Sequence, residues 1–72
     1  MKKIKCNVYP DRDYLETCTN NIVDEKAIDI HISEDDTQST IALNYKGMKK
    51  LRKHLKEQMK LLEDYYGKDT LL

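Results

Sequence analysis

The chain has 72 residues, and its 13 basic and 13 acidic side chains give a formal net charge of zero. A chain of this length forms one small domain that buries only about 60% of its surface. The neutral total argues against a general nucleic-acid binder. No apolar run approaches the roughly 18 residues that a membrane-spanning helix needs, so we expect no membrane association.

The amino-terminal sequence and the cysteines favour a cytoplasmic, intracellular protein. Residues 1–13 lack the apolar core of a secretory signal. Two cysteines, Cys6 and Cys18, are too few for a disulfide framework. We therefore expect both thiols to be reduced, as is usual inside cells.

Alternation of polar and apolar residues predicts three or four strands in the first two thirds of the chain. The clearest pattern is that of residues 27–33, in which Ile28, Ile30 and Ile32 face one way. The predicted strands cover residues 3–9, 14–19, 27–33 and 40–45, with a polar loop at 34–39. Such alternation is typical of an antiparallel sheet with one covered face and one solvated face.

Residues 46–66 carry the helical period and predict one amphipathic helix of about five turns. Its apolar stripe consists of residues three or four positions apart: Met48, Leu51, Leu55, Met59, Leu62 and Tyr66. Asn44 suits the N-cap, and Gly67 suits the position just past the helix end, before a tail of residues 67–72. We predict an α+β fold with a single domain over residues 1–72: a small antiparallel β-meander with this long C-terminal helix packed across one face.

A basic face flanks the apolar stripe on the predicted helix. It consists of Lys46, Lys49, Arg52, Lys53, Lys56 and Lys60, with Lys50 at its edge. Residues 46–60 hold seven bases and one acid, for a net charge of +6. Residues 11–36 hold nine acids and two bases, for a net charge of −7. The basic face is either a solvated surface or a contact patch for a protein or for nucleic acid.

The other flank of the helix carries a second row of side chains: His54, Gln58, Leu61 and Tyr65. If the apolar stripe faces the sheet, Leu61 is either exposed or covered by another molecule. A small domain gains stability by burying more surface on a copy of itself. The second row, together with Leu71 and Leu72, therefore marks a surface for a homodimer. The alternative is a monomer with an exposed Leu61 and a frayed tail.

No catalytic, cofactor-binding or metal-binding motif is predicted. Zinc sites usually use paired ligands about two to four residues apart. The cysteines and histidines are instead separated by 11, 12 and 22 residues: Cys6, Cys18, His31 and His54. No flanking motif marks a cysteine or a histidine as activated for catalysis. We expect Cys18 to be solvated, because in a regular strand it faces the same way as Tyr14 and Glu16. One sheet and one helix also offer little depth for an active site.

These patterns predict a small non-enzymatic protein-binding module with a protein partner of unknown identity. The hairpin followed by IALNYKGMKKLRKHLKE resembles many short bacterial and phage proteins, a likeness of architecture that implies no function. Eleven lysines against two arginines are typical of an AT-rich coding sequence, as in low-GC bacteria and their phages, which bears on origin and not on function. The module we predict is an accessory or regulatory protein of a phage or mobile element. The alternative is a nucleic-acid-binding protein that uses the basic face. That alternative is less favoured because the acidic segment would repel phosphates and the basic face lacks aromatic side chains for stacking.

Overall fold

A computed structural model describes residues 3–71 as one antiparallel sheet followed by two helices. The elements are β1 (Lys3–Lys5), β2 (Tyr14–Cys18), β3 (Ala27–Glu34), β4 (Thr37–Asn44), α1 (Tyr45–Tyr66) and α2 (Lys68–Leu71). The four strands lie in sequence order, and each pairs antiparallel with the next. The predicted α+β meander with one long helix is therefore confirmed.

The hairpin of β3 and β4 is longer than predicted. Glu34 pairs with Thr37, so the expected polar loop shrinks to a turn of two residues, Asp35 and Asp36. A two-residue turn requires a residue with positive φ, and Asp35 adopts φ 56°. Aspartate tolerates this conformation better than most residues, which explains how the turn forms without glycine.

Strand β1 is shorter than predicted, because the chain turns directly after Lys5. The carbonyl of Tyr9 accepts hydrogen bonds from the amides of Arg12 and Asp13, at 3.2 and 2.9 Å. The amide of Cys6 donates to the carbonyl of Asp13 at 3.0 Å, which closes the turn. Residues 6–13 therefore form a compact connection in place of the end of the predicted strand 3–9.

Asp13 joins this connection to the distant turn of the second hairpin. Its buried carboxylate accepts a hydrogen bond from Arg12 Nε at 3.0 Å and another from the backbone amide of Asp35 at 2.8 Å. The hydrogen bond from Arg12 is the main cause that lowers the pKa of Asp13, and the amide of Asp35 adds to it. The two turns at this end of the sheet are thus held by one ionised side chain.

Both predicted capping residues lie at the ends of the long helix, which begins at Tyr45, one residue before the predicted start. The side chain of Asn44 accepts a hydrogen bond from the amide of Gly47 at 2.9 Å, as an N-cap does. Gly47 also lies so close to Leu43 that a methyl group at this position would be 3.3 Å from Leu43 Cδ2. Gly67 has φ 85° and its amide donates to the carbonyl of Glu63 at 2.7 Å. The expected tail forms the short helix α2, while Leu72 lies outside the described residues.

The prediction that α1 packs across the sheet is wrong for the single chain. The helix contacts β4, the strand that leads into it, but none of its residues is buried. Strand β4 ends at Asn44 and α1 begins at Tyr45, so no residue lies between the two elements. Among residues 3–71 no large side chain is fully buried, and the buried residues are small or polar: Asp13, Cys18, Ala27 and Asp29.

We predict that Asp13→Asn lowers the stability of the fold near neutral pH. The stability of this variant should also change less than that of wild type as the pH falls into the acidic range. A lowered pKa in the folded state means that ionised Asp13 stabilises the protein above its ordinary pKa of 3.8. This contribution disappears as the pH falls through the lowered folded-state pKa. Thermal unfolding followed by circular dichroism from about pH 7 to about pH 2 measures the difference from wild type.

The matched control is Asp11→Asn, which removes an exposed acid from the same connection. We expect Asp11→Asn to leave the pH profile close to that of wild type. Equal effects of the two substitutions would show that Asp13 does not hold the two turns together.

Candidate functional site

The apolar stripe of α1 is uncovered along most of its length. The exposed fraction of its side chains rises from 36% at Leu51 to 52% at Leu55 and 58% at Met59. Leu62 and Tyr66 also remain about half exposed. The beginning of the helix is therefore partly sheltered near Leu43 and β4, while the remaining turns carry their apolar side chains in solvent.

The apolar face of the sheet lacks a cover as well. Ile28 and Ile30 in the middle of β3 are half-buried, but Ile32 and Ile41 are exposed. Ile30 and Ile41 are register partners on neighbouring strands, so their side chains share one face. A sheet face rich in isoleucine and a helix stripe rich in leucine thus lie uncovered in the same chain.

The size of the molecule shows how much surface stays uncovered. The accessible surface is 6610 Å², whereas the scaling for a folded monomer of 8.5 kDa gives about 4,700 Å². The excess is about 1,900 Å² on this one chain, whereas a standard protein–protein interface buries about 800 Å² on each partner. The radius of gyration is 14.5 Å, against about 11 Å for a compact domain of this length.

The second row of the helix joins the apolar stripe near the end of α1. Leu61 and Tyr65 are exposed, and with Gln58 they line one shallow depression that also includes Leu62 and Tyr66. The rings of Tyr65 and Tyr66 meet edge to face with centroids 4.7 Å apart. His54 is exposed one turn earlier and does not line this depression. The structure therefore merges most of the predicted row with the stripe into one broad apolar surface.

The basic face forms a continuous surface on α1. Five of its six predicted members and Lys50 line one depression: Lys46, Lys49, Lys50, Arg52, Lys53 and Lys56. Lys60 is exposed further along the helix. Within residues 3–71 the ion pair is that of Arg12 with Asp13, so no described carboxylate lies within 4.0 Å of these bases. The positive charge of the helix is therefore not neutralised by an ion pair within the described chain.

The polar face of the sheet holds a cluster of three side chains that sequence analysis missed. Cys18 on β2 pairs directly with Asp29 on β3, and His31 follows two residues later on the same face. One ligating atom from each residue lies within 4.8 Å of the others. Cys18 and Asp29 are buried, at 8% and 5% exposure, and His31 is half-buried. The expectation of a solvated Cys18 is therefore wrong, because Cys18 is buried where β2 pairs with β3.

Neighbouring polar groups orient two members of the cluster. Asn21 Nδ2 donates a hydrogen bond to Asp29 Oδ1 at 2.6 Å. His31 Nδ1 lies 2.7 Å from the hydroxyl of Thr40 on β4. The sequence signal was the spacing Asp29-Ile30-His31, since residues i and i+2 of a strand share a face. Its link to Cys18 depends on strand register, which ligand spacing along the chain does not reveal.

Comparisons of this chain with protein-family models, with curated proteins and with solved structures found no match. No helix within residues 3–71 combines the length and apolar composition required to cross a membrane. The surfaces of the chain are therefore the basis for a functional proposal.

We predict that Asn21→Ala destabilises the fold by about 1–3 kcal/mol, the cost of leaving a buried acceptor without its donor. Asn21 is the hydrogen-bond donor to the buried carboxylate of Asp29, and its carbonyl also accepts from the amide of Ala27. Only the first of these bonds uses the side chain. Denaturant unfolding measures the loss, and Asn20→Ala, which changes an exposed asparagine next to it, is the matched control. An Asn20→Ala loss as large as that of Asn21→Ala would contradict this role.

Proposed function

We propose that this protein is a small non-enzymatic protein-binding module whose uncovered apolar surface is its contact site. The observation that carries the proposal is α1, a helix of 22 residues with none buried. Monomeric soluble proteins rarely expose large contiguous apolar patches, and those that do usually bind a partner there. The lysine-rich composition agrees with an accessory or regulatory protein of a phage or mobile element.

A second copy of the chain is the partner that fits the surface best. The chain exposes two apolar surfaces that could pack against each other between two copies, namely the stripe of α1 and the isoleucine-rich face of the sheet. Its own helix does not supply the cover, since no residue of α1 is buried. A two-fold arrangement would let each helix cover the sheet of the other copy. Covering about 1,900 Å² on each of two copies would bury about 3,800 Å² in total, which lies in the range of obligate homodimers.

Charge favours the same arrangement. The basic segment 46–60 carries +6 and the acidic segment 11–36 carries −7. Pairing the helix of one copy with the strands of another would bring these opposite charges closer together. Complementary potentials of this kind guide association and disfavour wrong partners.

We predict a homodimer at micromolar concentration, which light scattering or sedimentation would detect as twice the mass of the chain. Leu55→Asp and Leu61→Asp place a charge in the apolar surface and should convert the dimer to a monomer. The matched control is Val23→Asp, which changes an apolar side chain that is 82% exposed in the connection between β2 and β3. It should leave the dimer intact.

The outcome with each variant locates the interface. Loss of the dimer in Leu55→Asp alone would place the contact on the apolar stripe and leave the second row outside it. A dimer that persists in both helix variants would place the interface on a strand edge. A wild-type monomer would overturn self-association. Protein binding would then require a different partner on the same surface.

The second candidate function is nucleic-acid binding through the basic face. The specific observation in its favour is that none of the lysines and the arginine lining this face forms an ion pair within the described chain. The adjacent acidic segment opposes it, since phosphates would be repelled there. Any binding should therefore be weak and depend strongly on salt.

We predict that replacing Lys49, Lys53 and Lys56 by glutamine lowers the slope of log affinity against log salt by about one for each lysine. Fluorescence anisotropy with a labelled duplex at several salt concentrations measures that slope. A charge-matched control replaces Lys3, Lys5 and Lys26, which lie outside α1. Tight, sequence-selective binding at physiological salt would make nucleic acid the primary ligand instead of a protein.

A further inference from the structure

We propose that Cys18, Asp29 and His31 form a metal site that takes a divalent transition-metal ion, with Zn²⁺ as the best match. The site is independent of the apolar surface of α1. It rests on the placement of three ligating side chains, on the burial of a carboxylate, and on the polar groups around them.

The pairing of β2 with β3 places the three residues before any metal arrives. Cys18 and Asp29 are direct partners across the ladder, and His31 shares their face two residues along β3. Zinc bonds of about 2.0–2.3 Å require ligand atoms within about 4 Å of one another. The ligand atoms lie within 4.8 Å of each other. Side-chain rotations that move these atoms by about 1 Å would therefore bring them to the distances that zinc requires.

The buried carboxylate of Asp29 lacks a positive partner. Its hydrogen-bond donor is the neutral amide of Asn21, and no cationic side chain of residues 3–71 lies within 4.0 Å of it. Buried charges in proteins are normally paired with an opposite charge or coordinate a metal. A divalent cation between Asp29 and its neighbours would supply the missing positive charge.

The surrounding hydrogen bonds resemble the outer shell of a metal site. In the tautomer with its proton on Nδ1, His31 donates to the hydroxyl of Thr40 and keeps a free lone pair on Nε2. The amide of Asn21 occupies Oδ1 of Asp29, which leaves Oδ2 for an ion. Metal-bound histidines almost always donate the N–H of their other ring nitrogen in a hydrogen bond, which fixes the orientation of the imidazole.

The donor set decides the class of metal. One sulfur, one nitrogen and one oxygen ligand suit Zn²⁺ or Co²⁺, whereas Mg²⁺ and Ca²⁺ prefer oxygen ligands alone. Three protein ligands leave a fourth tetrahedral position, which a water molecule would fill. Binding would release the thiol proton of Cys18 to solvent as the thiolate forms its bond to the metal.

Titration of the full, reduced and metal-free chain with Co²⁺ tests the proposal, because cobalt reports its ligands in the absorption spectrum. We expect one ion per chain, a charge-transfer band from the thiolate to the metal, and visible bands of tetrahedral intensity. Zn²⁺ should displace the cobalt and raise the unfolding temperature, because a metal bound to the folded state stabilises it.

Variants of the ligands and of matched residues assign the site. Cys18→Ser should remove the charge-transfer band, and His31→Gln should weaken Co²⁺ binding more than tenfold. Thr40→Val, which removes the partner of the His31 ring, should weaken it by about 10–100-fold. Cys6→Ser and His54→Gln change the remaining cysteine and histidine of the chain and should leave the spectrum and the affinity unchanged.

Several results would overturn the site. They are a wild-type chain that binds no Co²⁺, a charge-transfer band that survives in Cys18→Ser, and a band that is lost in Cys6→Ser. Circular dichroism shows whether each variant is folded. If Cys18→Ser does not fold, the half-buried His31→Gln decides, since unchanged affinity in that variant contradicts the proposal.

Discussion

The absence of a linker between β4 and α1 is the constraint on which the rest of the structure depends. Asn44 ends the last strand and caps the helix at the same time, so the direction of the helix follows from the direction of the strand. Gly47 tightens the junction further by lying against Leu43. The helix contacts the sheet at β4, and the apolar side chains of its later turns are exposed.

This constraint changes where the stability of the single chain lies. Its buried residues lie just before β2, at the end of β2 and in the first three residues of β3. The side chains of Asp13 and Asn21 join segments that are distant in sequence. Hydrogen bonds contribute only about 1 kcal/mol each in net terms. Burial of a leucine-sized side chain contributes about 1.5–3 kcal/mol. Burial of the apolar stripe of α1 and of the sheet face that carries Ile28, Ile30 and Ile32 would therefore stabilise the protein more than these side-chain hydrogen bonds do.

The two faces of the sheet carry different types of side chain. The isoleucine face offers apolar area and no reactive groups, which suits a protein contact. The opposite face places a thiol, a carboxylate and an imidazole on two adjacent strands, with Asn21 and Thr40 orienting two of them. Strand pairing is rigid compared with a loop, so such a cluster is kept together without a ligand. The contact surface and the polar cluster can be changed independently by mutation, because they lie on different elements or on opposite faces.

Local patterns in the sequence determined most of the elements. Alternation located β3, the step of three and four residues located α1, and the residues Asn44 and Gly67 marked its ends, because period and capping depend on neighbours in the chain. The shortened β1 and the two-residue turn at Asp35 were missed, since they depend on hydrogen bonds that Asp13 accepts from Cys6 and Asp35 and on a left-handed aspartate.

Tertiary structure decided what the elements do with their surfaces. The stripe of α1 predicts a helix that needs a cover, but the direction of the chain at Asn44 decides whether its own sheet can supply it. Likewise, Asp29 and His31 share a strand face by spacing alone, whereas Cys18 joins them through the register of β2 against β3. Strand register and helix direction depend on contacts between segments far apart in sequence, so a local pattern of residues does not predict either of them.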